Sequence, residues 1–350
     1  MSFPQRPPRL TIDDIAREAQ VSRATASMVL NGHASKYRIS AATAERVQAV
    51  ADRLHFVPNA PARHLRQQRT DAVGLVVPDL RNSAHAYLAQ AVERACRERG
   101  LQVLLVTSNE DAVQEEAALH HLMSRQVDGL IVVPSQSEPG RYQPWARRLP
   151  MVFVDRHIPG SGIAAVVSDA ASSVCAAVGA VMDGGERDIL FLGGRPSLSV
   201  SRDRRQGFED ALHERGLTLI EGENGQFGEF SVACGEQMMA AWVQRHGRWP
   251  GAVFTASIAL LEGVLACARA HEARGQTVGL RRLITFDDHS LLDSLSLPVD
   301  SILQDTPGLA AQALALLLDT EALQRAPLQH VPSRLRRRGG AGVADAAVAA

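Results

Sequence analysis

Residues 11–32, Thr11-Ile-Asp-Asp-Ile-Ala-Arg-Glu-Ala-Gln-Val-Ser-Arg-Ala-Thr-Ala-Ser-Met-Val-Leu-Asn-Gly32, decide the architecture of this chain. Ile12, Ile15, Ala16 and Ala19 recur at helical spacing, and Thr11 with Asp14 makes a capping box, so Thr11–Gln20 reads as a short amphipathic helix. Val21-Ser22 leaves room only for a tight corner. Ser22 is placed as the N-cap of a second helix, Arg23–Leu30, which carries Ala26, Val29 and Leu30 inward and Arg23, Ala24, Ser27 and Met28 outward until Asn31-Gly32 stops it. Two helices this short and this close cross steeply, with the small Ala16 at the crossing, as in a helix-turn-helix. The second presents a polar N-terminal end of the kind that reads base edges in the major groove. Ser40 then caps a third helix, Ala41–Leu54, whose Val47, Val50, Ala51 and Leu54 complete a small core.

Pro58-Asn59 opens a further stretch, Ala60–Gln67. It is too short to hold a helix alone, since isolated helices need roughly 12–15 residues, so it must gain order from a partner.

Charge is unevenly shared along the 350 residues: positions 1–70 carry 11 Lys+Arg against 5 Asp+Glu, while the whole chain has a formal charge of −1. A basic head on an acidic body directs nucleic-acid phosphate to one end of the molecule. Lys36 is the sole lysine, so this cationic surface is almost entirely arginine. The N-terminal residues lack the apolar core of a secretion signal and no stretch has eighteen uninterrupted apolar residues, so a cytoplasmic protein that does not engage membranes is expected. Cys96, Cys175, Cys234 and Cys267 are far apart and read as reduced thiols; His120-His121 reads as helix surface and not as a metal motif.

From residue 72 short apolar runs alternate with helical patterns. AVGLVVP, LQVLLVT, VDGLIVV and MVFVD are strands, with helices over 84–99 and 112–125 between them. A second series, IAAVVS, DILFLGG, GAVFTA and RRLITF, is separated by helices around 169–183, 202–215, 230–246 and 257–270. Repeated β-α units of this kind form parallel sheets covered on both faces, and two such lobes place their strand C-termini around one cleft, where ligands bind. The strand ends carry the chemistry. Asp155-Arg156 ends one strand and Asp287-Asp288 another, Ser83 follows Asn82 at a helix start, and Ser199, Ser201 and Arg204 follow Gly193-Gly194. Arginine offers a planar fork to phosphate or vicinal hydroxyls and carboxylates accept from hydroxyls, so this mixture suits a polyol bearing an anion. Each residue taken singly also fits a turn cap or an interlobe salt bridge. The Arg336-Arg337-Arg338 run reads as a solvated end of the core.

The order of elements resembles the LacI family of bacterial transcription regulators over nearly the whole chain. The motifs that carry the resemblance are IDDIAREAQVSRATASMVLNG and ISAATAERVQAVADRLHFVPNAPARHLR. SKYRIS, VGLVVPDLRN, LHHLMSRQVDGLIV, SLSVSRDRRQGF, FTASIALLEGV and FDDHSLLD are similar to the fructose repressor and catabolite repressor/activator branch. Gln20 departs from the pattern by standing where relatives have Gly in the turn.

The resemblance implies an N-terminal all-α helix-turn-helix head plus an α/β core of two doubly wound parallel-sheet lobes, like a periplasmic binding protein. In those terms residues 1–9 are a flexible N-terminus, 10–57 the head and 58–70 a hinge helix or linker. The core is 71–338, with lobe one at about 71–167 and 306–325 and lobe two at about 168–305 and 326–338, followed by a flexible tail at 339–350.

It further implies operator contacts from Thr11, Ser22, Arg23, Ala24, Thr25, Ser27, Met28, Asn31, Tyr37 and Arg38. In a homodimer, with a tetramer left open, Asn59, Ala62 and Leu65 of paired hinges enter the minor groove. Ser83, Asp155, Arg156, Arg204, Asp288 and Gln304 map onto effector positions. The implied effector is fructose 1-phosphate, with fructose 1,6-bisphosphate as the second candidate, and no cofactor is expected.

Three rivals compete with this reading. A sugar-binding transport protein shares the core but has no use for residues 10–67. An enzyme acting on sugar phosphates needs a nucleophile, an acid/base pair or a phosphate-binding Gly loop, and Gly193-Gly194 lacks the Gly-Lys-Ser/Thr that would make one. A LacI-type regulator answering a free sugar or nucleobase fits the paired arginines less well.

Overall fold

A computed structural model describes residues 10–56, 69–338 and 346–347. The chain divides between Thr70 and Asp71 into two compact units. The first holds α1 (Ile12–Glu18), α2 (Arg23–Leu30) and α3 (Ala41–Arg53). Each starts on a hydroxyl cap, Thr11, Ser22 or Ser40, whose side chain accepts from a backbone N–H three residues on. Ile15, Ala16, Ala19, Ala26, Val29, Val47 and Val50 close the core between the helices, with Leu30 and Leu54 packed partly buried against it. Gln20 takes the turn at φ +54°, a left-handed conformation that suits glycine and costs another residue about 1 kcal/mol. The turn is kept, closed by the Val21 N–H donating to the Ala16 carbonyl at 3.0 Å.

The second unit contains two sheets. The first has the order β11-β5-β4-β3-β1-β2 and is parallel throughout, built from β1 (Ala72–Val77), β2 (Gln102–Thr107), β3 (Gly129–Val132), β4 (Met151–Val154), β5 (Ala164–Ser168) and β11 (Leu328–Val331). The second has the order β13-β12-β10-β9-β8-β6-β7. Its parallel strands are β6 (Ile189–Gly193), β7 (Gly225–Phe227), β8 (Ala252–Thr255), β9 (Arg282–Phe286) and β10 (Val299–Leu303). β12 (Arg334–Arg336) and β13 (Ala346–Ala347) add an antiparallel edge. β1, β3, β4 and β6 are buried along their whole length, as continuous apolar runs covered on both faces should be.

The helices run α4 (Ser83–Arg97), α5 (Ala112–Ser124), α6 (Gln143–Ala146), α7 (Ala170–Asp183), α8 (Ser199–His213), α9 (Val232–His246), α10 (Ile258–Glu272), α11 (Thr306–Leu318) and α12 (Thr320–Gln324).

The lobe boundaries differ from the sequence reading at one strand. IAAVVS reads along the chain with the second series but lies within the expected bounds of lobe one, and it supplies the fifth strand of the first sheet, pairing with β4 through Val152–Ala164. Leu328–Val331 pairs with β5 and so belongs to lobe one, although residues 326–338 were expected in lobe two; only from β12 onward does the chain join β10. Apolar strands carry no label for the sheet they will join, because their neighbours are distant in sequence. The chain therefore crosses between lobes after Ser168, after Leu303 and between Val331 and Arg334. Ala346–Ala347 pair with Leu335 and Arg334 inside the stretch expected to be a flexible tail; the rest of that stretch, residues 1–9 and the hinge positions Asn59, Ala62 and Leu65 lie outside the described residues.

Candidate functional site

The head presents α2 as expected. Arg23 and Ala24 are exposed, while Ser27 and Met28 are half-buried. Ser22 and Thr25 cap the helix, with Oγ to Oγ1 at 2.8 Å and the Thr25 N–H donating to Ser22 Oγ at 3.0 Å, which sets the angle at which Arg23 leaves the surface. Thr11 closes its capping box with Asp14. The Asn31 amide donates to the Ser27 carbonyl at 2.6 Å, and Tyr37 and Arg38 stand exposed beyond it, Arg38 at φ +54°. Arg23 pairs with Asp13 at 3.4 Å, and both side chains remain more than half exposed. An exposed pair of this kind contributes less than about 1 kcal/mol, so the guanidinium can exchange the carboxylate for a phosphate or base edge.

In the second unit the strand exits converge on one cleft. β4 ends at Asp155 and β9 at Asp287, and each makes one last ladder bond, to Val166 and Ile302, before turning at φ +66° and +74°. Left-handed aspartates at strand ends are strained positions that the surrounding fold holds in place. Both line the cleft together with Asn82, His85, Arg156, Arg204 and Gln304.

Arg204 rides on α8, drawn tight against α7 because Gly207 has no side chain: a Cβ there would lie 2.1 Å from the Ala171 carbonyl oxygen. Arg204 is 5% exposed, its Nη1 donates to the Ala256 carbonyl at 2.6 Å and its guanidinium stacks 3.7 Å from the centroid of Phe286. Its Nε has no partner, and among the described residues no carboxylate comes within salt-bridge distance. Burial lowers its pKa, opposed by the charges of Asp287 and Asp155. Asp287 is pushed upward by its own burial, which Arg204 only partly offsets.

Arg156 is held differently. Its two Nη atoms grip Glu110 at 2.9 and 2.6 Å and one also donates to the Pro134 carbonyl. Arg195, from the other lobe, reaches the same Glu110 at 3.0 Å, and its Nε pairs with Glu229. Burial raises the Glu110 pKa, but its bonds to Arg156 and the nearby charge of Arg195 outweigh that and leave it below the ordinary carboxylate range. The lobes are joined further by the His157 N–H to Ser199 Oγ at 2.9 Å and by the Ser168 hydroxyl on the Gln304 amide oxygen.

Family models match both units: residues 11–59 fit bacterial regulatory proteins of the lacI family, and residues 70–318 fit the periplasmic binding proteins and sugar binding domain of the LacI family. The chain belongs to the LacI family. It is 39% identical over 334 residues to the sucrose operon repressor of Klebsiella pneumoniae, covering 94% of this chain and 98% of that protein. It is 36% identical over 335 residues to the fructose operon regulatory protein of Vibrio cholerae, covering 94% and 100%. Among solved structures it resembles the Cra transcriptional dual regulator of Pseudomonas putida in complex with fructose 1-phosphate, with a TM-score of 0.69 and 29% identity over 77% of this chain and 99% of that one. This LacI-family chain is thus a DNA-binding transcription regulator, and the relatives named are regulators and not enzymes.

The core of this LacI-family regulator brings together Asp155, Arg156, Arg204 and Gln304 as the sequence suggested. Ser83 begins α4 with its hydroxyl buried and unpartnered, but it is the flanking Asn82, Ala84 and His85 that line the cleft. Asp288 lines the adjoining part of the space between the lobes with Ala84, Tyr87, Asp287 and Gln304, but its carboxylate is already engaged. Its Oδ1 takes the Ser301 hydroxyl at 2.6 Å and Arg338 Nη2 at 2.5 Å, and its Oδ2 takes Arg336 at 3.1 Å, so both oxygens are bound within lobe two. The strained turn at Asp287 gives the preceding carboxylate to the part of the cleft lined by Arg204.

The same network corrects the reading of one residue of the 336–338 run, in which Arg337 is exposed as expected and Arg336 partly so. Arg338 is buried against Asp288, Asp293 and the Val299 carbonyl, and it pins the last core strand in place of lying in solvent. His85, Glu110 and Arg195 were missed. His85 shares the apolar face of Leu88, Val92 and Ala95, a placement that could have marked it; nothing local marks Glu110, whose partners lie 46 and 85 positions away. Among the described residues no group of three or more His, Cys, Asp or Glu could hold a metal, and no helix is long and apolar enough to cross a membrane.

Proposed function

We propose that the protein is a homodimeric repressor released from a palindromic operator by a phosphorylated ketohexose, fructose 1-phosphate in the first place and fructose 1,6-bisphosphate in the second. The observation that carries this reading is Arg204, a buried guanidinium lining an interlobe cleft, with an unsatisfied N–H and no carboxylate partner among the described residues. An unpaired buried cation costs several kcal/mol, and a ligand anion removes that cost. Asp155 and Asp287 supply hydroxyl acceptors beside it, which a sugar requires. The names of the Vibrio relative and the Pseudomonas complex agree with a fructose-derived ligand.

The effector favours one lobe arrangement and the operator, through the paired hinges, another, so each must weaken the binding of the other. Titration of a labelled palindromic operator with full-length protein tests this, with fructose 1-phosphate, fructose 1,6-bisphosphate, fructose, ribose and sucrose as additions. Sucrose enters because a relative at 39% identity is named for it. Release by a sugar phosphate and not by the free sugars is expected, and unchanged operator affinity at saturating sugar phosphate refutes the proposal.

A further inference from the structure

Apart from Asp287, which lies with Arg204 on lobe two and accepts from the Gln304 amide, the ionisable groups of the cleft are sorted by lobe. His85 is 5% exposed on α4 of lobe one, and its Nδ1 lies 3.1 Å from the Asp79 carbonyl oxygen. A carbonyl only accepts, so Nδ1 carries the proton and Nε2 of the neutral ring is left with its lone pair. Nε2 has no hydrogen-bond partner among the described residues, is not sealed off, and belongs to a ring that lines the cleft. Burial, and the Arg156 guanidinium next, oppose protonation of the ring, while Asp155, the Asp79 carbonyl and Glu110 favour it less strongly. Asp155, also of lobe one, lines the cleft with a carboxylate that accepts no hydrogen bond among the described residues. Arg156, the cation nearest to them, is already neutralised by the two-pronged grip of Glu110. Lobe two supplies the cation left without a carboxylate partner, Arg204.

From this sorting we infer that the site is polar end to end: His85 Nε2 and Asp155 on lobe one accept the ligand's hydroxyls, Arg204 on lobe two takes its anion, and His85 is a specificity-determining residue for the hydroxyl end. The inference rests on the reading of the cleft as a sugar-phosphate site.

The test uses full-length wild type, His85→Phe, His85→Gln and Arg204→Met, each first shown to bind operator. Calorimetry with fructose 1-phosphate is run in buffers of different ionisation enthalpy, and methyl phosphate, which has no carbon-bound hydroxyl, is followed by phosphorus NMR at millimolar concentration.

His85→Phe should weaken fructose 1-phosphate roughly 10- to 100-fold, since a ligand hydroxyl is left without its acceptor. His85→Gln, which restores an acceptor, should recover most of that loss. Methyl phosphate should bind the wild type and His85→Phe alike and be lost in Arg204→Met, and any proton taken up on binding fructose 1-phosphate should be the same in the wild type and His85→Gln, because the carboxyl that a phosphate on Arg204 would protonate is Asp287 and not the imidazole. Uptake of about one proton by the wild type that disappears in His85→Gln would place the phosphate against His85 and overturn the polarity, as would wild-type affinity in His85→Phe or equal loss of methyl phosphate in both single variants. A wild type that binds no sugar phosphate would instead overturn the reading beneath it.

Discussion

Replacement of Arg204 by Met separates a ligand-binding arginine from a structural one. In the cleft the guanidinium spends one N–H on the Ala256 carbonyl and stacks on Phe286, leaving its remaining donors for an anion. Two charge-assisted bonds to a phosphate at about 1.5–3 kcal/mol each amount to roughly 3–6 kcal/mol, which is about 10²- to 10⁴-fold in effector affinity. The folded state loses far less. The variant forfeits about 1 kcal/mol at Ala256 and about 1–2 kcal/mol of cation–π contact, but it also sheds the burial penalty of a charge without a carboxylate partner. Met fills much of the same volume. Asp287, whose pKa is already raised by burial and is lowered by Arg204, moves further up and becomes neutral more readily, so no new buried charge is stranded. The melting temperature should therefore shift by only a few degrees. Operator titration by fluorescence anisotropy should give wild-type affinity without effector and no release at sugar-phosphate concentrations that empty the wild type. Loss of operator binding together with a collapse in melting temperature would refute the reasoning and make Arg204 a structural residue.

Asp288→Asn should lower stability by about 3 kcal/mol in urea unfolding, because Arg338 is left buried beside a weakened partner, while calorimetric effector affinity stays within about twofold. Glu110 has a folded pKa below its ordinary value, so its stabilising contribution is present above the ordinary carboxylate pKa and is lost as pH falls through the lowered one. Glu110→Gln should accordingly be less stable than the wild type at neutral pH, with the difference shrinking toward acid in a pH series of thermal melts. Gln20→Gly should stabilise the head by about 1 kcal/mol, read from chemical unfolding of residues 1–70 by circular dichroism if that unit folds alone and otherwise from amide exchange in the full chain, by relieving the φ of +54°.

The sequence by itself determined what depends on neighbours within a turn or two. The hydroxyl caps at Thr11, Ser22 and Ser40, the bounds of α2 and the apolar strands all follow from i to i+4 relations or from alternation. The strand exits at Asp155 and Asp287-Asp288 were marked in the same way, although which of the two adjacent aspartates keeps its carboxylate free of arginine was not. The turn at Gln20 was marked only by the resemblance, in which glycine stands at that position.

Tertiary structure decided the rest, because charge pairing and sheet partnership are settled between residues far apart. Leu328 opposite Ala165 brought a late strand back to lobe one, although residues 326–338 had been expected in lobe two. Glu110, distant in sequence, neutralised Arg156 and not Arg204, while Arg336 and Arg338 claimed Asp288 and left Asp287 to the cleft. Two arginines that look equivalent along the chain thus differ in their freedom to bind an anion, since an arginine's availability depends on which carboxylates the fold brings within about 4 Å of it.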